Sequence, residues 1–111
     1  MNKKIKDNLT KELKNKTILV TGGAGSVGSV LVKKILEFPV KTVRVLDIDE
    51  HALFKLNRSI NDKRLRLLLG SITDKERIEM AGHNVDIILH LAAIKNIEIS
   101  EKALERIIRS E

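Results

Sequence analysis

Several residue types are absent or scarce in this sequence of 111 residues, and each absence excludes a class of protein. There is no cysteine, no tryptophan and no tyrosine, and there are only two phenylalanines. The lack of cysteine excludes a disulfide framework and a thiolate metal site, and the lack of aromatics argues against a nucleic-acid partner. No apolar run approaches the roughly 20 residues of a membrane span, and the first 15 residues lack the apolar segment of a secretory signal. We therefore expect a cytoplasmic protein.

The positive charge is concentrated at the start of the sequence. The net charge is +6, and residues 1–16 hold six lysines but only two acidic residues. Ile5, Leu9 and Leu13 recur every four residues, which predicts an amphipathic helix. Because its apolar stripe is narrow, we expect this helix to pack loosely. We divide the chain into a lead-in helix at 1–15 and a domain at 16–111.

In the rest of the chain, apolar runs that predict strands alternate with segments of helical periodicity. The predicted strands are 17–21, 42–47, 65–69 and 85–91. Apolar helical faces are predicted at Val27, Val30, Leu31 and Ile35, at Leu53, Leu56 and Ile60, and at Ala103, Leu104, Ile107 and Ile108. The predicted helix-end residues are Asp49, Thr73 with Glu76, Gly82 and Ser100. This alternation predicts an α/β fold with right-handed crossovers and a parallel sheet covered on both faces.

The segment TGGAGSVG lies between the first predicted strand and the following helix. Such a turn can present backbone N–H groups to a phosphate, and the helix start adds partial positive charge. Gly22 would permit the tight turn, Gly25 would let a pyrophosphate approach, and Gly28 would let helix and strand pack closely. The alternative is a glycine-rich turn with no ligand.

Asp47 ends the second predicted strand, 19 residues after Gly28. In a doubly wound sheet this position lies beside the glycine turn, where a carboxylate can accept hydrogen bonds from the ribose hydroxyls of adenosine. A carboxylate would repel a 2′-phosphate, so NAD is favoured over NADP. The alternative is that Asp47 is a turn or cap residue.

Four motifs together resemble a known family. TGGAGSVG is similar to the TGxxGxxG signature of extended short-chain dehydrogenase/reductases. With VRVLDIDEHAL, LLLGSITDKERI and VDIILHLAAIKNIEISE, it resembles the capsular-polysaccharide group of nucleotide-sugar 4,6-dehydratases and epimerases. The resemblance implies a Rossmann-like three-layer αβα half-domain, with a parallel sheet of about four strands in the order 3-2-1-4.

The resemblance also implies roles for individual residues. The residues implied in binding NAD or NADP are Gly22, Gly25, Ser26, Val27, Gly28, Asp47, Ile48, Ser71, Ile72, Leu91, Ala92 and Ala93. Lys95 would face the substrate, or it is an ordinary exposed lysine. The family usually has Asp at the position of Ser71, and a neutral serine would weaken adenine binding by about 1 kcal/mol.

The catalytic Tyr-x-x-x-Lys pair of the family is absent from these residues. His51, His83 and His90 have no nucleophile or metal-ligand partner at an informative spacing, so we predict no catalytic residue and no metal. The chain is therefore interpreted as the NAD(P)-binding part of a nucleotide-sugar-modifying enzyme in polysaccharide biosynthesis. On this interpretation, nucleotide-sugar is bound only if the C-terminal half is supplied.

The alternative is a stand-alone or engineered half-Rossmann module that binds nucleotides or self-assembles. In either case the apolar fourth strand would form an edge of the sheet. We therefore expect self-association through that strand or through the last helix.

Overall fold

The computed structural model describes residues 2–91 and contains four helices and four strands within them. In chain order they are α1 (Lys3–Leu13), β1 (Thr17–Thr21), α2 (Ser26–Ile35), β2 (Thr42–Asp47), α3 (Glu50–Ser59), β3 (Leu65–Leu69), α4 (Lys75–Gly82) and β4 (Ile87–His90). The first three predicted strands are confirmed at both ends. β4 is shorter than predicted, since Val85 still belongs to the turn after α4, where its N–H donates to the Gly82 carbonyl at 3.2 Å. The predicted last helix lies outside the described residues.

All four strands are parallel, in the order β3-β2-β1-β4, which confirms the predicted topology. Thr21 at the end of β1 lies opposite Leu46 on β2 and His90 on β4. The chain adds β2 and then β3 on one side of β1, and it then crosses back to place β4 on the other side of β1. The strand order therefore reverses between β1 and β4. In open α/β sheets, ligands bind beyond the carboxyl ends of the strands at such a switch point.

Helices cover both faces of the sheet, which confirms the three-layer architecture. The larger core combines side chains of α1, α2 and α3 with one face of the strands, including Ile18, Val20, Val43 and Val45. The smaller core lies on the other face, where Ala81 of α4 packs with Leu19 and Leu46. Alternate residues of β1 thus enter opposite cores, as the pleat of a strand requires.

α1 packs tightly, contrary to the loose packing expected from its narrow apolar stripe. Leu9 and Leu13 are 1% and 0% exposed and belong to the same cluster as Ile35 and Leu89. Asn2 caps the helix by accepting hydrogen bonds from the backbone N–H groups of Lys4 and Ile5. The expectation failed because two leucines are enough to anchor a short helix when the neighbouring sheet provides an apolar surface.

The buried face of α2 shares Leu31 and Ile35 with the predicted face but includes Gly28 and Val32 instead of Val27 and Val30. Gly28, Leu31, Val32 and Ile35 are buried, whereas Val30 is 46% exposed. The buried residues follow the spacing i, i+3, i+4, i+7 of a helix on a flat surface. Gly28 lies against the turn that precedes the helix, at Gly22 and Gly23.

The ends of α4 also differ from the prediction. Asp74, not Thr73, caps the helix, and its side chain accepts a hydrogen bond from the Arg77 N–H. Gly82 is the last helical residue, and the left-handed conformation falls on Asn84, with φ of 58°. The predicted cap at Asp49 is confirmed by its hydrogen bond from the Ala52 N–H.

Within residues 2–91, no helix combines the length and the apolar character that a bilayer crossing requires.

Candidate functional site

The candidate site begins at the turn between β1 and α2. Gly22 has a φ of 73°, in the left-handed region that side chains disfavour. Its N–H donates to the Leu46 carbonyl of β2 at 2.8 Å, and its own carbonyl accepts from the Gly25 N–H at 3.4 Å. These bonds turn the chain at the carboxyl edge of the sheet and direct it into α2.

The glycines of this turn differ in how much space surrounds them. A Cβ at Gly28 would lie 2.5 Å from the Gly22 carbonyl oxygen and from the Gly23 Cα, so the fold itself requires glycine there. A Cβ at Gly23 would lie 2.8 Å from a methyl group of Val45. No role for Gly23 could be predicted from the sequence, since only the folded packing brings Val45 against it.

Gly25 is different, because nothing in the fold demands a glycine there. Its backbone is extended, with φ of −68° and ψ of 177°, and the residue is exposed. A Cβ would meet only the Gly22 carbonyl oxygen, at the ordinary contact distance of 3.6 Å. A bare backbone at this position is useful for the close approach of something outside the chain.

The start of α2 is the one helix start among residues 2–91 without a side-chain cap. Asn2, Asp49 and Asp74 cap the other three described helices, whereas Gly25 offers no side chain to α2. The first N–H groups of a helix have no acceptor within it, and they carry its partial positive charge. At α2 they remain available to an anion.

Asp47 joins the glycine turn to the end of β2. Its Oδ2 accepts a hydrogen bond from the Ala24 N–H at 3.1 Å, and its Oδ1 accepts one from the Asp49 N–H at 3.0 Å. A carboxylate offers about four acceptor positions. The carboxylate is therefore held in place while both oxygens keep the capacity to accept further hydrogen bonds.

A cavity of about 230 Å³ lies beside Asp47 at the carboxyl ends of β1, β2 and β3. Its lining residues are Gly22, Leu46, Asp47, Ile48, Gly70, Ser71 and Ile72. It brings together five of the predicted site residues from three separate segments. The Ser71 hydroxyl is 2.8 Å from the Thr73 hydroxyl and accepts a hydrogen bond from the Thr73 N–H.

The remaining predicted residues are placed as follows. Gly25 and Ser26 line a neighbouring groove of about 440 Å³ between α2 and α3, and Val27 is half-buried. Leu91 is 5% exposed and belongs to the larger core, not to the cavity lining. Ala92, Ala93 and Lys95 lie outside the described residues.

Of the three histidines, His90 has a defined polar partner at the switch point. Its Nδ1 is 2.7 Å from the Oγ1 of Thr21, which is 1% exposed, so the pair joins the ends of β4 and β1. This pairing could not be predicted from the sequence, because the contact depends on the register of two strands far apart in sequence. No group of acidic and histidine side chains within residues 2–91 is arranged to hold a metal ion.

Comparison with known proteins gives three informative similarities. An uncharacterized membrane protein of Methanocaldococcus jannaschii is 48% identical over 79% of this chain and 26% of its own length. A UDP-N-acetylglucosamine 4,6-dehydratase (inverting) of Campylobacter jejuni is 34% identical over 78% of this chain and 26% of its own length. The Bordetella bronchiseptica enzyme WbmF, solved with NAD+, shares 32% identity with a TM-score of 0.59, covering 72% of this chain and 24% of its own.

The chain thus spans about a quarter of the length of the curated relatives that it matches. A family model described as polysaccharide biosynthesis protein matches residues 18–111. This match covers most of the chain and confirms the resemblance inferred from the four sequence motifs. The chain belongs to the polysaccharide biosynthesis protein family.

Proposed function

We propose that this chain binds NAD at the carboxyl edge of its sheet. It would do so as the dinucleotide-binding part of a nucleotide-sugar 4,6-dehydratase or epimerase. The single observation that carries the proposal is Gly25, a glycine that the fold does not need, at the uncapped start of α2. Free backbone N–H groups and open space occur together where a diphosphate would approach.

The relatives give the proposal its reaction class. One acts, by its name, as a UDP-N-acetylglucosamine 4,6-dehydratase, and others are UDP-glucose 4-epimerases. WbmF has been solved with NAD+, and also with NAD+ and UDP together. Both named activities modify a sugar attached to a nucleotide, which is the substrate class we propose for the whole enzyme.

Each part of the proposed site has a distinct task. The N–H groups at the start of α2, from Ser26 to Gly28, would bind the pyrophosphate. Asp47 would accept hydrogen bonds from the adenosine ribose, and Ile48, Ser71 and Ile72 would contact the adenine in the cavity of about 230 Å³. The nicotinamide would supply hydride transfer, near Leu91, Ala92 and Ala93, with Lys95 toward the substrate.

The Asp47 carboxylate favours NAD over NADP. Its two oxygens are held in place by the N–H groups of Ala24 and Asp49. A 2′-phosphate on the adenosine ribose would place negative charge against this fixed carboxylate. We therefore expect tighter binding of NAD than of NADP.

These residues would bind and orient the cofactor without carrying out the reaction. The sequence contains no tyrosine, so the family's Tyr-x-x-x-Lys pair is absent from it. The 111-residue chain is accordingly expected to bind dinucleotide without turning over a nucleotide-sugar.

The test is calorimetric titration of NAD and NADP into the chain and into two glycine variants. In Gly25→Ala the fold is kept, and we expect NAD affinity to fall by at least about tenfold, the equivalent of one charge-assisted hydrogen bond. Gly82→Ala is the matched control, since a Cβ there meets nothing within 4 Å, far from the turn. Absence of NAD binding to the unaltered chain, or equal affinity in both variants, would refute the proposal.

Self-association is a separate expectation. Within residues 2–91, β4 is hydrogen-bonded to β1 on one side only, and its Ile88 is 43% exposed. An apolar strand edge promotes pairing between chains. We propose that the chain associates through this strand or through the last helix. Light scattering that finds only monomer at high concentration would contradict this.

A further inference from the structure

α1 has an apolar inner face and a lysine-rich outer face. Leu9 and Leu13 are buried in the core, with Ile5 packed against them. Lys4 and Lys11 are exposed on the opposite side. The matched family region begins at residue 18, so α1 lies before it. The apolar face explains how α1 is attached to the fold, but it does not explain the lysines.

The positive charge continues from α1 along the amino edge of the sheet. Lys14 is the C-cap of α1, and the Lys16 carbonyl accepts a hydrogen bond from the Lys41 N–H at 2.9 Å. α2 runs from the carboxyl edge to the amino edge, so Lys34 in its last turn also lies at this end. We call the lysines at this edge the amino-edge lysine surface: Lys11 in the last turn of α1, with Lys14, Lys16, Lys34 and Lys41.

Few acidic groups neutralise this surface. Asp62 is paired with Arg64, and Asp86 accepts a hydrogen bond from the Thr17 N–H. Glu12 in the last turn of α1 and Glu37 just after α2 are exposed carboxylates at the same end, and the five lysines outnumber them. In the described part of the chain, none of these five lysines forms an ion pair.

The opposite edge, where we place the dinucleotide, is rich in acidic residues. Asp47, Asp49 and Glu50 follow one another at the end of β2, and Asp74 and Glu76 start α4. The proposed phosphate donors there are backbone N–H groups. The lysines are therefore at the wrong end of the strands to bind the phosphates of the cofactor.

We propose that the amino-edge lysine surface docks on a membrane surface that contains anionic phospholipid. Each lysine near such a surface contributes independently, without the fixed geometry that a single phosphate site needs. A single-stranded nucleic acid would call for aromatic side chains among the lysines. Phe38 is buried, and Phe54 lies on α3, outside this surface. In this orientation the dinucleotide site at the other edge stays open.

The test is co-sedimentation of the full 111-residue chain with vesicles of two compositions. One is phosphatidylcholine alone, and the other is equal parts of phosphatidylcholine and phosphatidylglycerol. The chain is compared with a triple variant of the surface, Lys11→Gln, Lys14→Gln and Lys16→Gln. The control removes the same charge elsewhere, in Lys55→Gln, Arg58→Gln and Lys75→Gln. Circular dichroism checks that both variants keep the fold, as expected for exposed side chains.

We expect binding only to the anionic vesicles, weakening as salt is raised. The partition coefficient should fall on the order of a hundredfold in the surface variant, and change by less than about threefold in the control. No binding, equal binding to neutral vesicles or an equal loss in both variants would overturn the proposal. Tighter binding to duplex DNA, lost in the same surface variant, would also overturn it in favour of a nucleic-acid interface.

Discussion

At the scale of single residues, two glycines of the turn look equivalent in the sequence motif but differ in whether the fold requires them. Gly28 is required by packing, since a Cβ would overlap the backbone of Gly22 and Gly23. Gly25 has room for a methyl group and an extended backbone that any residue can adopt. One glycine is thus needed for folding, whereas the other is free to serve a ligand.

The packing role of Gly28 leads to a stability prediction. Gly28→Ala should lower the free energy of unfolding by about 1–3 kcal/mol, because backbone atoms at 2.5 Å cannot move aside as a flexible side chain can. Gly82→Ala should instead raise it by about 0.5–1 kcal/mol, since alanine is the better helix former and has open space there. Urea denaturation measures both values. A neutral Gly28→Ala would contradict the packing argument.

At the scale of secondary-structure elements, the start of α4 shows how two local signals compete. Thr73 with Glu76 fits the pattern of a capping box, and Asp74 fits that of a single cap one residue later. In the fold the Thr73 hydroxyl contacts Ser71, and Asp74 accepts from the Arg77 N–H. Thr73 and Asp74 are both suitable N-cap residues, and the contact between Thr73 and Ser71 leaves Asp74 as the cap.

Substitution can distinguish the two caps. Asp74→Ala should reduce the free energy of unfolding by about 1 kcal/mol, the usual cost of a lost N-cap. Thr73→Ala should cost less than about 0.5 kcal/mol, since this exposed hydroxyl caps no helix. Thermal denaturation followed by circular dichroism measures the loss of stability in both variants. A larger loss in Thr73→Ala than in Asp74→Ala would support the capping box instead.

Arg64 stabilises the end of α2 from a position just before β3. Its guanidinium donates to the Leu36 carbonyl and, at 2.8 Å, to the Phe38 carbonyl. The Asp62 carboxylate accepts from the same guanidinium at 2.8 Å. The side-chain hydrogen bonds from Arg64, with the one from its backbone N–H, lower the pKa of Asp62 from 3.8 to about 2.

This lowered pKa predicts a pH dependence of stability. A carboxylate whose folded pKa lies below its unfolded value stabilises the fold above pH 3.8, and this contribution is lost as the pH falls toward 2. Asp62→Asn should therefore cost about 1 kcal/mol at neutral pH, discounted for partial solvent exposure.

The measurement is the difference in unfolding free energy between the unaltered chain and Asp62→Asn at a series of pH values. We expect this difference to shrink between pH 3.8 and about 2, because the carboxylate becomes protonated. Effects of pH that are common to both proteins cancel in this difference. A constant difference across this range would contradict the assigned ion pair.

At the scale of the whole molecule, α1 and the sheet share one core. Leu9 and Leu13 belong to the same buried cluster as Val20, Val45 and Leu89. The lead-in helix predicted at 1–15 therefore packs directly onto the domain predicted at 16–111. α1 should unfold together with the sheet.

This shared core makes Leu13 a sensitive position. Leu13→Ala should lower the free energy of unfolding by about 2–5 kcal/mol, because a fully buried leucine leaves a cavity. Val30→Ala, on an exposed position of α2, should change it by less than about 0.5 kcal/mol. Calorimetry should show one transition, shifted downward only in Leu13→Ala. A separate early transition for α1 would contradict a shared core.

The sequence by itself determined the α/β alternation, the strand order through the family resemblance, and the chemistry expected at Gly22, Gly25 and Asp47. Apart from the strand order, these features depend on residue type and local spacing, because β-branched runs, helical periodicity and a glycine turn act over a few residues. The family match at residues 18–111 agrees with them.

Only the tertiary structure decided which side chains meet across long separations. The register of the strands placed Thr21 beside His90, the sheet surface buried Leu13, and the packing of Val45 against Gly23 removed any space for a side chain there. It also decided that Gly25, unlike Gly28, has open space around it. Such contacts depend on the relative positions of whole elements, which local sequence patterns do not contain.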